Sequence, residues 1–153
     1  MTNGFKFAGR KIFNPMLKEL TYVSIDILNA YFSEDFMSGI PSYRELTSEI
    51  NKNLASFRKA SPDMMKAFGE MARAATTSGA LDEKTKELIA VAIAVAVRCD
   101  GCIGFHVKAL VRLGATRDEL NEMLNMCVYL GGGPSLMYAA NVLAAFDEFS
   151  AAS

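Results

Sequence analysis

Helix starts and stops recur along this chain at short intervals, and no other feature restricts the fold so tightly. Asn14-Pro15 puts a capping residue before a proline at the first helical position, and Leu17, Leu20, Ile27 and Leu28 follow at helical spacing to about Phe32. Ser42 and Glu45 stand at capping-box spacing and open a second helix that ends near Lys59. Ser61-Pro62 opens a third, with Met65, Phe68, Met71, Ala72 and Ala75 as its apolar stripe and Gly79 as its stop. A fourth follows Asp82. A fifth runs from about Gly101 or Cys102 to Leu113 and halts at Gly114, and Thr116 with Glu119 opens a sixth that reaches Leu130. The string GGGP at 131–134 breaks that helix, and Pro134 seats the first turn of a seventh ending near Phe149. Apolar-polar alternation between turn residues, the mark of strands, is hard to find. The punctuation therefore predicts an all-α, single-domain bundle of about seven helices.

At 153 residues, one core suffices, because a chain of this size hides roughly 68 to 70% of its unfolded surface. The run LIAVAIAVAV at 88–97 is apolar on every face of its helix, which predicts burial on all sides, with a subunit interface as one way to cover it. Residues 1–13 read as a loosely held arm, and 33–41, with Gly39 and Pro41, as the only plausible seam. The 16 Lys and Arg balance 17 Asp and Glu, for a net charge of -1. No basic field gathers phosphates, so nucleic acid is not an expected partner. MTNGFKFAGRKIFNPM has no signal-like apolar region, and the longest apolar run falls well short of a membrane span. A cytoplasmic protein without membrane contact is expected. Its three cysteines then form no disulfide framework, and their spacing points instead to redox or metal chemistry.

That spacing is concentrated in RCDGCIGFHVKAL, where Cys99, Cys102 and His106 stand at i, i+3 and i+7. On one continuous helix they project within a sector of about 60°. Two cysteines one helical turn apart need little adjustment to form a disulfide. Cys102 falls in the first turn, where free N–H groups favour a thiolate, and His106 one turn on can exchange its proton. Lowering a thiol from about 8.5 to about 7 takes roughly 2 kcal/mol. A helix end supplies about 0.3 to 2 kcal/mol, so the imidazole has a share to contribute. Two other readings stand beside this one. The three side chains can be core residues, since free cysteine is often buried. They can also be zinc ligands with Cys127 or Glu87 as the fourth, although structural zinc ligands usually pair across separated knuckles. Cys127, in NEMLNMCVYL, lacks a charged or histidine neighbour and reads as core, as do most of the nine methionines.

Glu87, Cys99, Cys102 and His106 together spell E-x11-C-x2-C-x3-H, which resembles the alkylhydroperoxidase D branch of the carboxymuconolactone decarboxylase family. The likeness continues through HVKALVRLGAT at 106–116 and GGGPSLMYA at 131–139. It spans about 60–150, which divides the chain into an N-terminal helical extension, 1–60, and a helical core, 61–153. The resemblance implies a homotrimer or homohexamer whose disulfide-cycling pair reduces peroxides with electrons from an external dithiol, a lipoyl or thioredoxin-like protein. No cofactor is implied beyond the redox-active disulfide Cys99 to Cys102. Cys102 would be the attacking thiolate, Cys99 the resolving and partner-facing thiol, and His106 with Glu87 the proton relay. Related members can carry a second histidine between the cysteines. Here Asp100 and Gly101 stand there, so one proton shuttle is missing and the Asp100 charge would oppose thiolate formation. Twelve residues of straight helix separate Glu87 from Cys99 by about 18 Å, so Glu87 is expected to reach a site through oligomer packing or water, or else to be an exposed first-turn glutamate. Two further functions fit the same residues: a lactone decarboxylase with His106 as general acid or base, and a non-catalytic redox sensor.

Overall fold

Side-chain caps start most of the helices. Asp82 Oδ1 accepts the Thr85 N–H at 2.7 Å. Thr116 Oγ1 accepts the Glu119 N–H at 3.2 Å while Glu119 Oε2 accepts the Thr116 N–H at 2.8 Å, a complete capping box. Ser42 accepts from Glu45 N at 3.3 Å. At Ser61 no side-chain bond forms and Pro62 opens the helix instead. The computed structural model describes residues 42–151, and the helix expected at 14–32, the arm at 1–13 and the seam at 33–41 lie outside them. Among the described residues there are five helices and no strand: α1 Tyr43–Ala60, α2 Pro62–Thr76, α3 Glu83–Val97, α4 Asp100–Arg112 and α5 Arg117–Ser150.

The expected sixth and seventh helices are the two halves of α5, which a non-helical Gly132 interrupts. The break sits where GGGP places it. Gly132 adopts φ 63° and ψ -150°, a region open essentially to glycine alone, and Pro134 follows it.

Helices α3, α4 and α5 pack on one another, α1 lies on α4 and α5, and α2 touches α1 and α3. Val91, Val95, Ile103, Val107, Leu110, Leu120 and Val142 are completely buried between them. Although α1 falls inside the segment read from sequence as an extension, Tyr43 and Thr47 are buried with this core. A close approach makes that possible. A Cβ on Gly104 would meet Thr47 Cγ2 at 2.6 Å and Tyr43 Cδ1 at 3.3 Å, so the missing side chain lets α1 settle against α4. From the far end of the chain, Glu148 caps α1. Its Oε1 accepts from Ser42 Oγ at 2.5 Å and its Oε2 from Tyr43 N–H at 2.8 Å.

Within this one chain the apolar run on α3 is covered on one side. Val91, Ala94 and Val95 are buried, but Ile89 is 45% exposed, Ile93 56% and Val97 64%. A helix packed on neighbours along one side keeps its other side open, whatever its composition. On α2 no residue is buried, and Phe68 and Met71 of its apolar stripe are exposed. No helix among the described residues is long and apolar enough to cross a membrane.

Candidate functional site

Only Arg98 and Cys99 separate α3 from α4. The reversal depends on Arg98, which takes the left-handed conformation (φ 59°, ψ 49°) and ends α3, a geometry uncommon for a residue with a side chain. Cys99 then turns extended (φ -106°, ψ 93°), and its N–H donates to the Ala94 carbonyl at 3.0 Å. Cys99 is thus the N-cap of α4 and not part of a continuous helix with Cys102, which corrects the expected three-residue helical sector. The two sulfurs meet nonetheless. Cys99 and Cys102 form a disulfide, with Cα atoms 5.2 Å apart, inside the range such bonds require. Cys99 Sγ also accepts the Cys102 N–H at 3.2 Å. One of the free N–H groups of the first turn of α4 therefore points at sulfur.

His106 follows Cys102 by one turn of α4. Its Nδ1 lies 2.6 Å from Glu87 Oε2, with the histidine side chain 37% exposed and that of Glu87 only 7%. A carboxylate accepts, so Nδ1 carries the proton and Nε2 is left as the nitrogen able to take or give one. Glu87 was expected to reach a site through oligomer packing or water, or to stand exposed. The structure corrects this: it is buried, and it meets His106 directly within the same chain. The helix still carries Glu87 about 18 Å from Cys99; the turn at Arg98 sends α4 back along α3 and so brings His106, not Cys99, to the carboxylate.

Asp100 opens α4 between the two cysteines. Residues two apart on a helix point to nearly opposite sides, and Asp100 points to α1 and α5. Its Oδ1 accepts from the Tyr43 hydroxyl at 3.0 Å and from Asn141 Nδ2 at 3.5 Å. The Tyr138 hydroxyl donates to the Arg98 carbonyl at 3.5 Å. Burial, then the adjacent Asp100 charge and its hydrogen bond, push the Tyr43 phenol well above the ordinary tyrosine value, so it stays a donor. Sequence reasoning missed Tyr43, Tyr138 and Asn141. Nothing in a tyrosine 57 residues from its partner signals the contact, although Gly104 in CIG hints at a close helix approach.

Cys127 is elsewhere. Its Sγ lies 3.5 Å from Met123 Sδ and 4.0 Å from the Ala92 carbonyl, and burial pushes its thiol up. Of the five groups weighed as zinc ligands, Cys99 is bonded to Cys102 and His106 meets Glu87, and no group of three or more metal-ligating side chains is arranged to hold an ion among the described residues. One surface groove, of about 970 Å³, runs past Arg44, Lys52, Lys108 and Arg112. Another, of about 530 Å³, is apolar and lies between α3 and α5 against Ile89, Ile93, Met126 and Cys127. Neither is lined by the disulfide, His106 or Glu87.

Fold and site together define a class, helical bundles that present a Cys-x-x-Cys pair at a helix start with a carboxylate-backed imidazole one turn beyond. Within that class the chain belongs to the Carboxymuconolactone decarboxylase family, whose profile matches residues 62–145. It is similar to an uncharacterized protein of Cupriavidus necator, 44% identical over 104 residues that make up 68% of this chain and 92% of the relative. Protein 4 of the cox locus of Paracoccus denitrificans is 34% identical over 99 residues, 65% of this chain and 89% of its own. Among solved structures, an apo carboxymuconolactone decarboxylase family protein of Legionella pneumophila is 60% identical with a TM-score of 0.69, covering 71% of this chain and 96% of that one. A Thermotoga maritima protein is 31% identical with a TM-score of 0.51, covering 55% and 76%.

Proposed function

We propose that the protein is a thiol-dependent peroxidase, a disulfide oxidoreductase that reduces peroxides at Cys99 and Cys102. The observation that carries this is the buried Glu87 carboxylate 2.6 Å from His106 Nδ1, which prepares an imidazole for proton transfer one turn from a cysteine pair. His106 takes the Cys102 thiol proton, and the thiolate attacks a peroxide oxygen. The O–O bond breaks, the alkoxide leaves with the proton from His106 as an alcohol, and Cys102 becomes a sulfenic acid. Cys99, giving up its proton, attacks that sulfur, so the disulfide forms and water leaves. An external dithiol, lipoyl or thioredoxin-like, then reopens the bond by exchange and is itself oxidised, its two protons returning the cysteines to thiols. In this reading the exposed apolar residues Ile89, Ile93, Val97, Met126 and Leu130 support assembly into the homotrimer or homohexamer that the family resemblance implies, working in the reducing cytoplasm.

The test is peroxide consumption by reduced protein with a panel of dithiol donors, followed by alkylation and mass analysis. Loss of two thiols as a Cys99–Cys102 disulfide, and loss of turnover in Cys102→Ser, is the expected result. Two freely alkylated thiols after peroxide would overturn the proposal. Lactone turnover that survives the double change Cys99→Ser, Cys102→Ser would replace it with the decarboxylase reading.

A further inference from the structure

Both residues that flank Cys99 are held from outside the dithiol turn. On one side the Arg98 carbonyl accepts from Tyr138, and on the other the Asp100 carboxylate accepts from Tyr43 and Asn141. The donors come from two different helices, α1 and α5, and Tyr138 and Asn141 share one face of α5 at i, i+3 spacing. Tyr43 is 2% exposed, and its ring is fixed against Gly104 of α4. Asp100 is therefore anchored on the side of α4 that faces away from Cys102.

This anchoring matters because Asp100 is an anion at the first position of a helix, where the first-turn N–H groups have no carbonyl of the preceding turn to bond. A carboxylate there is attracted to the same first-turn N–H groups that a thiolate uses. One of those, the Cys102 N–H, donates to Cys99 Sγ at 3.2 Å. Sulfur is a weaker acceptor than a carboxylate, so Cys99 keeps that donor only while Asp100 is held elsewhere.

The geometry assigns to Tyr43, assisted by Asn141 and Tyr138, a positioning role for Cys99: the clamp keeps the Asp100 carboxylate off the start of α4 and reserves the helix N-terminus for the cysteine sulfur. The inference rests on the dithiol reading of the site, and it names the residues that keep the partner-facing thiol reactive. The titratable and charged groups around the turn are Arg98 in it, Asp100 and His106 on α4, Glu87 on α3, Tyr43 on α1 and Tyr138 on α5. Of these, Tyr43 is the one whose hydroxyl can be removed while the ring that packs on Gly104 is kept.

The experiment is the pH dependence of alkylation of the fully reduced protein, resolved cysteine by cysteine by mass spectrometry, with no peroxide present. In Tyr43→Phe the Cys99 midpoint should rise by about 0.5 to 1 pH unit, a three- to tenfold loss of thiolate at fixed pH, while Cys127 serves as the unmoved internal control. Adding Asp100→Asn to that variant should restore the wild-type midpoint. Asp100→Asn alone should move it by less than about 0.3 unit, because in the native protein the charge is already tied down. A Tyr43→Phe protein with a native circular dichroism spectrum and an unmoved Cys99 midpoint overturns the clamp. So does a fall of about a full unit in Asp100→Asn alone, which would mean the carboxylate opposes the thiolate directly, and this variant decides the matter if Tyr43→Phe does not fold. Because the readout is thiol ionisation, absence of peroxide turnover would sink the proposed activity and leave this result standing.

Discussion

Replacing Glu87 by glutamine removes one charge from the buried side of α3 and little else, which makes it the most direct probe of the His106 pair. The amide keeps an oxygen able to accept from Nδ1, so the contact at 2.6 Å survives in shape while its charge is lost. Two unit charges about 4 Å apart attract by about 4 kcal/mol at an effective dielectric of about 20. Here the Glu87 side chain is 7% exposed but that of His106 is 37%, and solvent around the imidazole screens the pair to about 1 to 2 kcal/mol. That much less support for the imidazolium formed when Cys102 gives up its proton predicts a rate about 5- to 30-fold slower. Single-turnover loss of the Cys102 thiol with peroxide, followed at neutral pH, measures it, with a melting curve to show that the fold is retained. The same substitution made in a His106→Ala background should have no further effect on the rate, because the carboxylate acts through the imidazole. A Glu87→Gln rate within twofold of wild type, or an undiminished effect without His106, would refute the argument.

Three further outcomes follow from the packing and the charges. Gly104→Ala places a Cβ 2.6 Å from Thr47 Cγ2 and should destabilise the protein by about 1 to 3 kcal/mol in urea unfolding; a loss below about 0.5 kcal/mol would mean that α1 gives way freely. Burial pushes the Glu148 carboxyl up, but the Ser42 hydroxyl, the Arg44 and Tyr43 N–H groups and the Arg44 charge outweigh it and hold it below the ordinary glutamate value. Its contribution is therefore complete above that ordinary value and is lost as pH falls through the lowered one. The melting-temperature gap between wild type and Glu148→Gln should accordingly close on acidification, and a gap independent of pH would contradict the capping role. Cys127, whose thiol is pushed up by burial, should be alkylated more slowly at neutral pH than Cys102 in the reduced protein, as peptide mass analysis can check.

Much of the helical framework was legible because its signals are local. Thr116 caps the helix it was expected to cap, α3 starts after Asp82 as expected, Pro62 opens α2, and GGGP breaks α5 where glycine and proline must act. The side of the apolar run at 88–97 that this chain covers was not legible, for a physical reason. Composition reports how apolar a helix is on each face, but only the placement of α4 and α5 decides which faces are covered. The role of Cys99 was likewise out of reach, since i, i+3 spacing is the same whether the first residue lies inside the helix or caps it.

What the residues determined alone is the helices between 42 and 151, the Cys-x-x-Cys pair at the start of one of them, and the imidazole one turn further, because each depends on contacts within a few positions. What only the tertiary structure decided is which distant groups serve that pair. Glu87 and His106 are 19 residues apart, and Tyr43 and Asp100 are 57. These pairs meet because Arg98 adopts a left-handed turn that folds α4 along α3, and because Gly104 has no side chain to hold α1 away. Both are consequences of packing in three dimensions, where separation along the chain sets no distance.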